Sequence, residues 1–91
     1  MSDKLRRREI RRLLRKMTPE DREALRMVPE AELICFHHGL GRFLRNGFRG
    51  NQFPWLMSYC HTTVEACGEP MSFDALSSVA IREIWKELQK S

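Results

Sequence analysis

An all-α, single-domain protein, a compact bundle of about four to five helices, is what this sequence predicts, and three observations predict it. Apolar residues recur at i, i+3, i+4 and i+7 in several stretches, the period of one helix face. Helix-start and helix-stop residues punctuate the chain at Thr18-Pro19, Pro29, Pro54, Gly68 and Ser72. No stretch alternates apolar and polar residues as a half-buried strand does. The 91 residues suffice for one modest core. With 42% hydrophobic and 31% charged side chains, the composition is that of a globular chain.

The first segment, Lys4 to Met17, reads as an amphipathic helix. Ile10, Leu13, Leu14 and Met17 share one stripe, and Arg8, Arg11, Arg12 and Arg15 repeat the same spacing on the opposite face. Leu5 falls off the stripe and Arg6 falls on it. Thr18, Pro19, Glu20 and Asp21 then start a second helix, with Thr as N-cap, Pro at the first position and acids in the first turn. It ends near Met27, because Pro29 disfavours a helical Val28. A third helix is expected from Pro29 to about Asn46, with Leu33, Phe36, Leu40, Phe43 and Leu44 on its core face, His37 at the edge and Gly47 as a left-handed cap. Residues 48–53 form a loop. Pro54 starts a fourth helix that stops at Gly68, despite the β-branched Thr62, Thr63 and Val64. Ser72 caps the last, whose stripe is Leu76, Ala80, Ile81, Ile84, Trp85 and Leu88. The expected organisation is a basic helix over 1–17, packed on or extending from a helical domain over 18–91.

Net charge is unevenly placed. Residues 1–16 hold eight basic and two acidic side chains, a net +6, so of the total +4 the rest carries −2. An electrostatic partner would meet the chain at that first helix. Four arginines on one face suit phosphates, giving salt-dependent, sequence-independent binding, or they suit an acidic protein surface. A solvated face, or pairing with Glu30, Glu32, Glu65, Glu69 and Asp74, is the alternative. No apolar run approaches the ~20 residues of a membrane span, and Met1-Ser2-Asp3-Lys4 leads into arginines rather than a signal-peptide core. A cytoplasmic compartment, no membrane partner and reduced thiols at Cys35, Cys60 and Cys67 are therefore expected.

Those cysteines with His37, His38 and His61 supply six donors for zinc, but the spacing offers no two ligands on one helix face. Buried filler roles for the cysteines and a core-edge role for His37 are the simpler expectation, with no metal and no cofactor. Cys60-His61 sets a nucleophile type beside a base type, yet neighbours in a helix do not share a face. Neither paired carboxylates nor a phosphate-cradling loop is present, so no catalytic activity is expected. Gly39 and Gly41 fall inside a helical pattern, each costing about 1 kcal/mol relative to alanine. Close approach by a neighbour is the usual compensation. Gly41 shares its side of the helix with His38, Arg42 and Arg45, a second face that meets either an internal neighbour or a partner.

The run from Pro19 to Asn46, with its core Phe36-His37-His38-Gly39-Leu40-Gly41-Arg42 and the pair Arg45-Asn46, resembles a small bacterial domain family of unknown function. Asp74, Ser77, Val79, Ile81 and Trp85 are similar to that family's C-terminal helix. The likeness covers most of residues 19–88. It departs after Phe48, where Arg49-Gly50-Asn51 stands in place of Gly-Leu-Trp, and in the arginine-rich first helix. The resemblance implies a compact helical domain and no particular activity.

Two functions follow as expectations. One is a small non-enzymatic protein-binding module, of the kind that immunity proteins, inhibitors and phage anti-defence proteins represent, acting by occlusion. The other is a nucleic-acid-binding accessory protein using the basic helix. The candidate contact residues are Arg8, Arg11, Arg12, Arg15, His38, Arg42 and Arg45.

Overall fold

Helix ends decide where this chain turns. The computed structural model describes residues 2–90; Met1 and Ser91, the outer ends of the expected units 1–17 and 18–91, lie outside the described residues. Five α-helices and a 3-10 helix follow one another: α1 (Ser2–Lys16), α2 (Pro19–Met27), the 3-10 helix (Glu30–Phe36), α3 (Leu40–Arg49), α4 (Pro54–Cys67) and α5 (Phe73–Gln89). No strand occurs among the described residues, so the architecture is all-α. Thr18 Oγ1 accepts the Asp21 N–H at 3.1 Å, and Ser72 Oγ accepts the Ala75 N–H at 3.1 Å, two side-chain caps at expected positions. Val28 is extended (φ −76°, ψ 141°) before Pro29, which ends α2. Gly68 takes the left-handed conformation (φ 74°) and closes α4. Thr62 and Thr63 lie within α4, their hydroxyls donating to the Ser58 and Tyr59 carbonyls one turn back.

The count of six elements, rather than four to five, arises because the expected third helix divides. Residues 30–36 wind as a 3-10 helix, a turn spans His37–Gly39, and α-helical bonding resumes at Leu40. The backbone stays in the right-handed region through His37 (φ −62°, ψ −36°) and Gly39 (φ −79°, ψ −74°), so the rod changes winding without reversing. In a 3-10 helix residues i and i+3 eclipse. Leu33 and Phe36 therefore both face inward, while Ile34 is left 77% exposed. Past the turn the stripe also shifts: Leu44 and Phe48 are buried, Leu40 is half-buried and Phe43, expected in the core, is 40% exposed.

Gly47 is not the cap of this helix. It lies inside α3, which runs on to Arg49, and the left-handed residue beyond is Asn51 (φ 55°). Gly47 is there because the Phe53 ring lies against the helix backbone: a Cβ on it would stand 2.6 Å from Phe53 Cε2. Gly41 likewise admits internal neighbours, with Ile81 Cδ1 and His37 Nδ1 each 3.7 Å and Arg45 Nη1 3.2 Å from where its Cβ would be. Gly39 has nothing within 4 Å of such a Cβ; it sits in the turn, outside the helix, and needs no close neighbour.

Helix α5 is the axis of the assembly. It packs chiefly on α3 and α4, and also meets the 3-10 helix, α2 and α1. Leu76, Ala80, Ile81, Ile84 and Leu88 bury along it against Leu25, Leu44, Phe48, Leu56 and Val64. Helix α1 belongs to the same core through Ile10 and Leu13. Two α5 side chains also close the end of α2, where carbonyls lack helical partners: Trp85 Nε1–H donates to the Val28 carbonyl and Gln89 Nε2 to that of Arg26, each at 2.9 Å. The radius of gyration, 12.2 Å, is that of a folded chain of this length.

Candidate functional site

Helix α1 has one side in the core and the other in solvent. Ile10 and Leu13 are buried, whereas Arg8, Arg11, Arg12 and Arg15 are all exposed. Arg6, on the buried stripe as its position predicts, places its guanidinium carbon over the Tyr59 ring, 3.9 Å from the centroid, and pairs with Asp3 at 3.1 Å. The arginine side forms one wall of an open groove of about 780 Å³ that runs past Lys4 and Leu5 to Trp55 at the start of α4. Trp55 is 46% exposed. It precedes the α4 stripe of Leu56, Cys60 and Val64, and that offset, visible in the sequence, is what turns its indole outward.

The four arginines are not equivalent. Arg12 turns inward, donating to the Gln52 carbonyl and lying 5.3 Å from the Phe53 ring centroid. Arg11 reaches Glu87 of α5 at 3.7 Å. Among the described residues Arg8 and Arg15 have no ion-pair partner, and neither does Lys4. The acids the sequence offered as internal partners, Glu30, Glu32, Glu65, Glu69 and Asp74, do not meet this face; Glu87 does.

Glu9, the acid between the arginines, lies in the groove floor, 7% exposed. Its Oε1 accepts the Leu56 N–H at 2.7 Å. Leu56 is in the first turn of α4, whose N-cap Phe53 has no side chain able to accept. A carboxylate from another helix thus satisfies an orphan donor and sits at the positive end of the α4 dipole. The link ties the arginine helix rigidly to the helix bearing Trp55.

His38, Arg42 and Arg45 lie elsewhere. His38 is exposed in the turn before α3, its ring 6.1 Å from that of His37, and Arg42 is exposed on α3. Arg45 folds back across Gly41. Its Nη1 stands 3.4 Å from Asp74 Oδ1 and 3.5 Å from His37 Nε2, and His37 Nε2 is 3.9 Å from the same carboxylate. This cluster joins the turn, α3 and the first turn of α5, so the neighbour that Gly41 accommodates is internal.

Among the described residues no three His, Cys, Asp or Glu side chains converge on a metal-sized space. The cysteines are free thiols of two kinds. Cys60 is buried, and desolvation first, then the nearby Glu83 charge, push its thiol up to about 12, with Arg6 opposing. Cys35 and Cys67, expected as buried fillers, are exposed. His61 follows Cys60 in the chain but faces solvent and pairs with Glu65 at 3.2 Å, so thiol and imidazole do not face each other. No described helix is long and apolar enough to cross a membrane. No protein-family model, curated protein or solved structure matches the chain. The likeness noted over residues 19–88 rests on the residues that carry it there.

Proposed function

We propose that the chain is a small non-enzymatic binding module that acts by covering a surface of another protein, with the arginine face of α1 and Trp55 as its contact surface. The observation that carries this is the pairing of unpartnered Arg8 and Arg15 with a half-exposed tryptophan on one rigid groove. Arginine and tryptophan are the residue types that dominate interface energetics, because each offers a large contact area with directional polar atoms. A rigid presenting surface also lowers the ordering cost of association. Inhibitors, immunity proteins and phage anti-defence proteins that work by occlusion all need no more than this. His38 and Arg42 are a second exposed set on α3, available to the edge of a large partner.

Nucleic acid is the second reading, favoured by one observation: the cations line a groove that contains an aromatic ring. Affinity capture from nuclease-treated host lysate, comparing the wild-type protein with Arg8→Glu/Arg15→Glu, tests both. A protein partner retained after nuclease and lost in the double variant supports the proposal. A partner held equally by both forms removes the arginine face from the function, and loss of capture on nuclease treatment moves the function to nucleic acid.

A further inference from the structure

The groove beside α1 has a length, a charge pattern and one exposed indole that together specify more than an acidic partner. From Lys4 to Arg15 the cationic wall spans twelve residues, about 16 Å or three helical turns. Arg8 and Arg15 stand two turns apart on one line of α1, about 10.5 Å along its axis. Carboxylates at i and i+7 of a second helix repeat that interval when the two axes lie nearly parallel at the usual 8–10 Å. Trp55 and the half-buried Leu5 line the same groove and give it apolar surface that suits a leucine or phenylalanine beside the charges.

We infer that this groove seats one acidic amphipathic helix, whose carboxylates pair with Arg8 and Arg15 and whose apolar side chain rests on Trp55. The inference rests on the arginine face being the docking surface and names what docks there. Charge complementarity selects an acidic occupant, and the single ring selects a helix over a nucleic-acid strand. Sequence-tolerant strand binding stacks successive bases on several aromatic rings along a basic track. Here the groove holds one indole, the Glu9 carboxylate lies in its floor, and beyond residue 16 the chain carries net −2. Two of the arginines are moreover held by the fold, Arg12 by Gln52 and Arg11 by Glu87, which leaves discrete charges rather than a continuous track.

Fluorescence anisotropy with three labelled probes tests this. They are an 18-residue amphipathic peptide with Glu at i, i+3 and i+7 beside a leucine stripe, a scrambled peptide of the same composition, and an 18-nucleotide single-stranded DNA. The expected result is that the amphipathic peptide binds at least about tenfold more tightly than the scramble. Its affinity falls with salt, drops about tenfold or more in Trp55→Ala, and is lost in Arg8→Glu/Arg15→Glu. Arg82→Glu, on the far part of α5, leaves it unchanged, and circular dichroism shows all variants folded. Equal binding of both peptides, no loss in Trp55→Ala, or tighter binding of the DNA overturns the helix inference while leaving the arginine face as a docking surface. Failure of all three probes, together with unchanged lysate capture by the double variant, overturns the docking surface itself.

Discussion

Glu9 carries a structural task that its surroundings conceal. Within residues 4–16 it is the one acid among eight cations, and periodicity alone leaves it an ion-pair partner on a charged helix. The contact that buries it is with a helix end 47 residues away, and a pattern within α1 cannot report which helix end lies beside it. Glu9→Leu is expected to cost about 1.5–3 kcal/mol, the range for a hydrogen bond to a charged group, whereas Glu9→Gln, which keeps an acceptor, costs less. Urea unfolding of the two variants checks this, and equal losses would show that the carboxylate does not cap α4. Cys60 yields a prediction of reactivity. With its thiol held up to about 12, it should resist alkylation at pH 8 while the exposed Cys35 and Cys67 react, so two thiols titrate in native protein and three after denaturation. The sign for stability follows from linkage. The folded thiol keeps its proton where the unfolded one, near 9, has released it, so this contribution is fully present below pH 9 and is lost as pH rises toward 12.

At the scale of elements, local signals were legible and the winding of one segment was not. Thr18, Pro29, Gly68 and Ser72 announce their helix ends through chemistry confined to a few residues, and the structure uses each as the sequence predicts. The segment from Glu30 to Arg49 looks like one helix because its apolar spacing fits 3.6 residues per turn about as well as it fits a 3-10 turn followed by an α-helix. Packing against α5 decides between them, and with it which of Phe43 and Leu44 is inside. Leu44→Ala is therefore expected to cost about 2–5 kcal/mol and Phe43→Ala clearly less, since only the first opens a cavity. Gly47 misled for a related reason. Glycine serves both to end a helix and to admit a neighbour, and the neighbour here, Phe53, lies across a loop. Gly47→Ala should destabilise by about 1–3 kcal/mol, although alanine is the better helix former, because the Cβ meets a fully buried ring. A stabilised Gly47→Ala protein would mean the ring moves aside freely.

For the whole molecule, the all-α class and the charge division between residues 1–16 and the remainder were plain from composition and periodicity. The groove was not, because Trp55 and the arginines come together only when α4 is laid along α1. That packing also bears on the expected units 1–17 and 18–91. Helix α1 supplies Ile10 and Leu13 to the core and the Glu9 cap to α4. A fragment lacking residues 1–17 is expected to lose cooperative unfolding and near-ultraviolet dichroism; a sharp thermal transition in that fragment would show that α1 is an appendage.

The bonds from Trp85 and Gln89 to the end of α2 carry a consequence for the order of events in folding. Nine residues are too few for a helix to persist unaided, and the donors that close α2 lie 57 and 63 residues downstream. During synthesis at about 5–20 residues per second, the Val28 carbonyl precedes Trp85 by roughly 3–11 s. Helix α2 is therefore expected to fluctuate over that interval and to become stable when α5 arrives. Its amides should then gain protection from hydrogen exchange together with those at the C-terminal end of α5, as one cooperative unit assembled from distant parts of the chain.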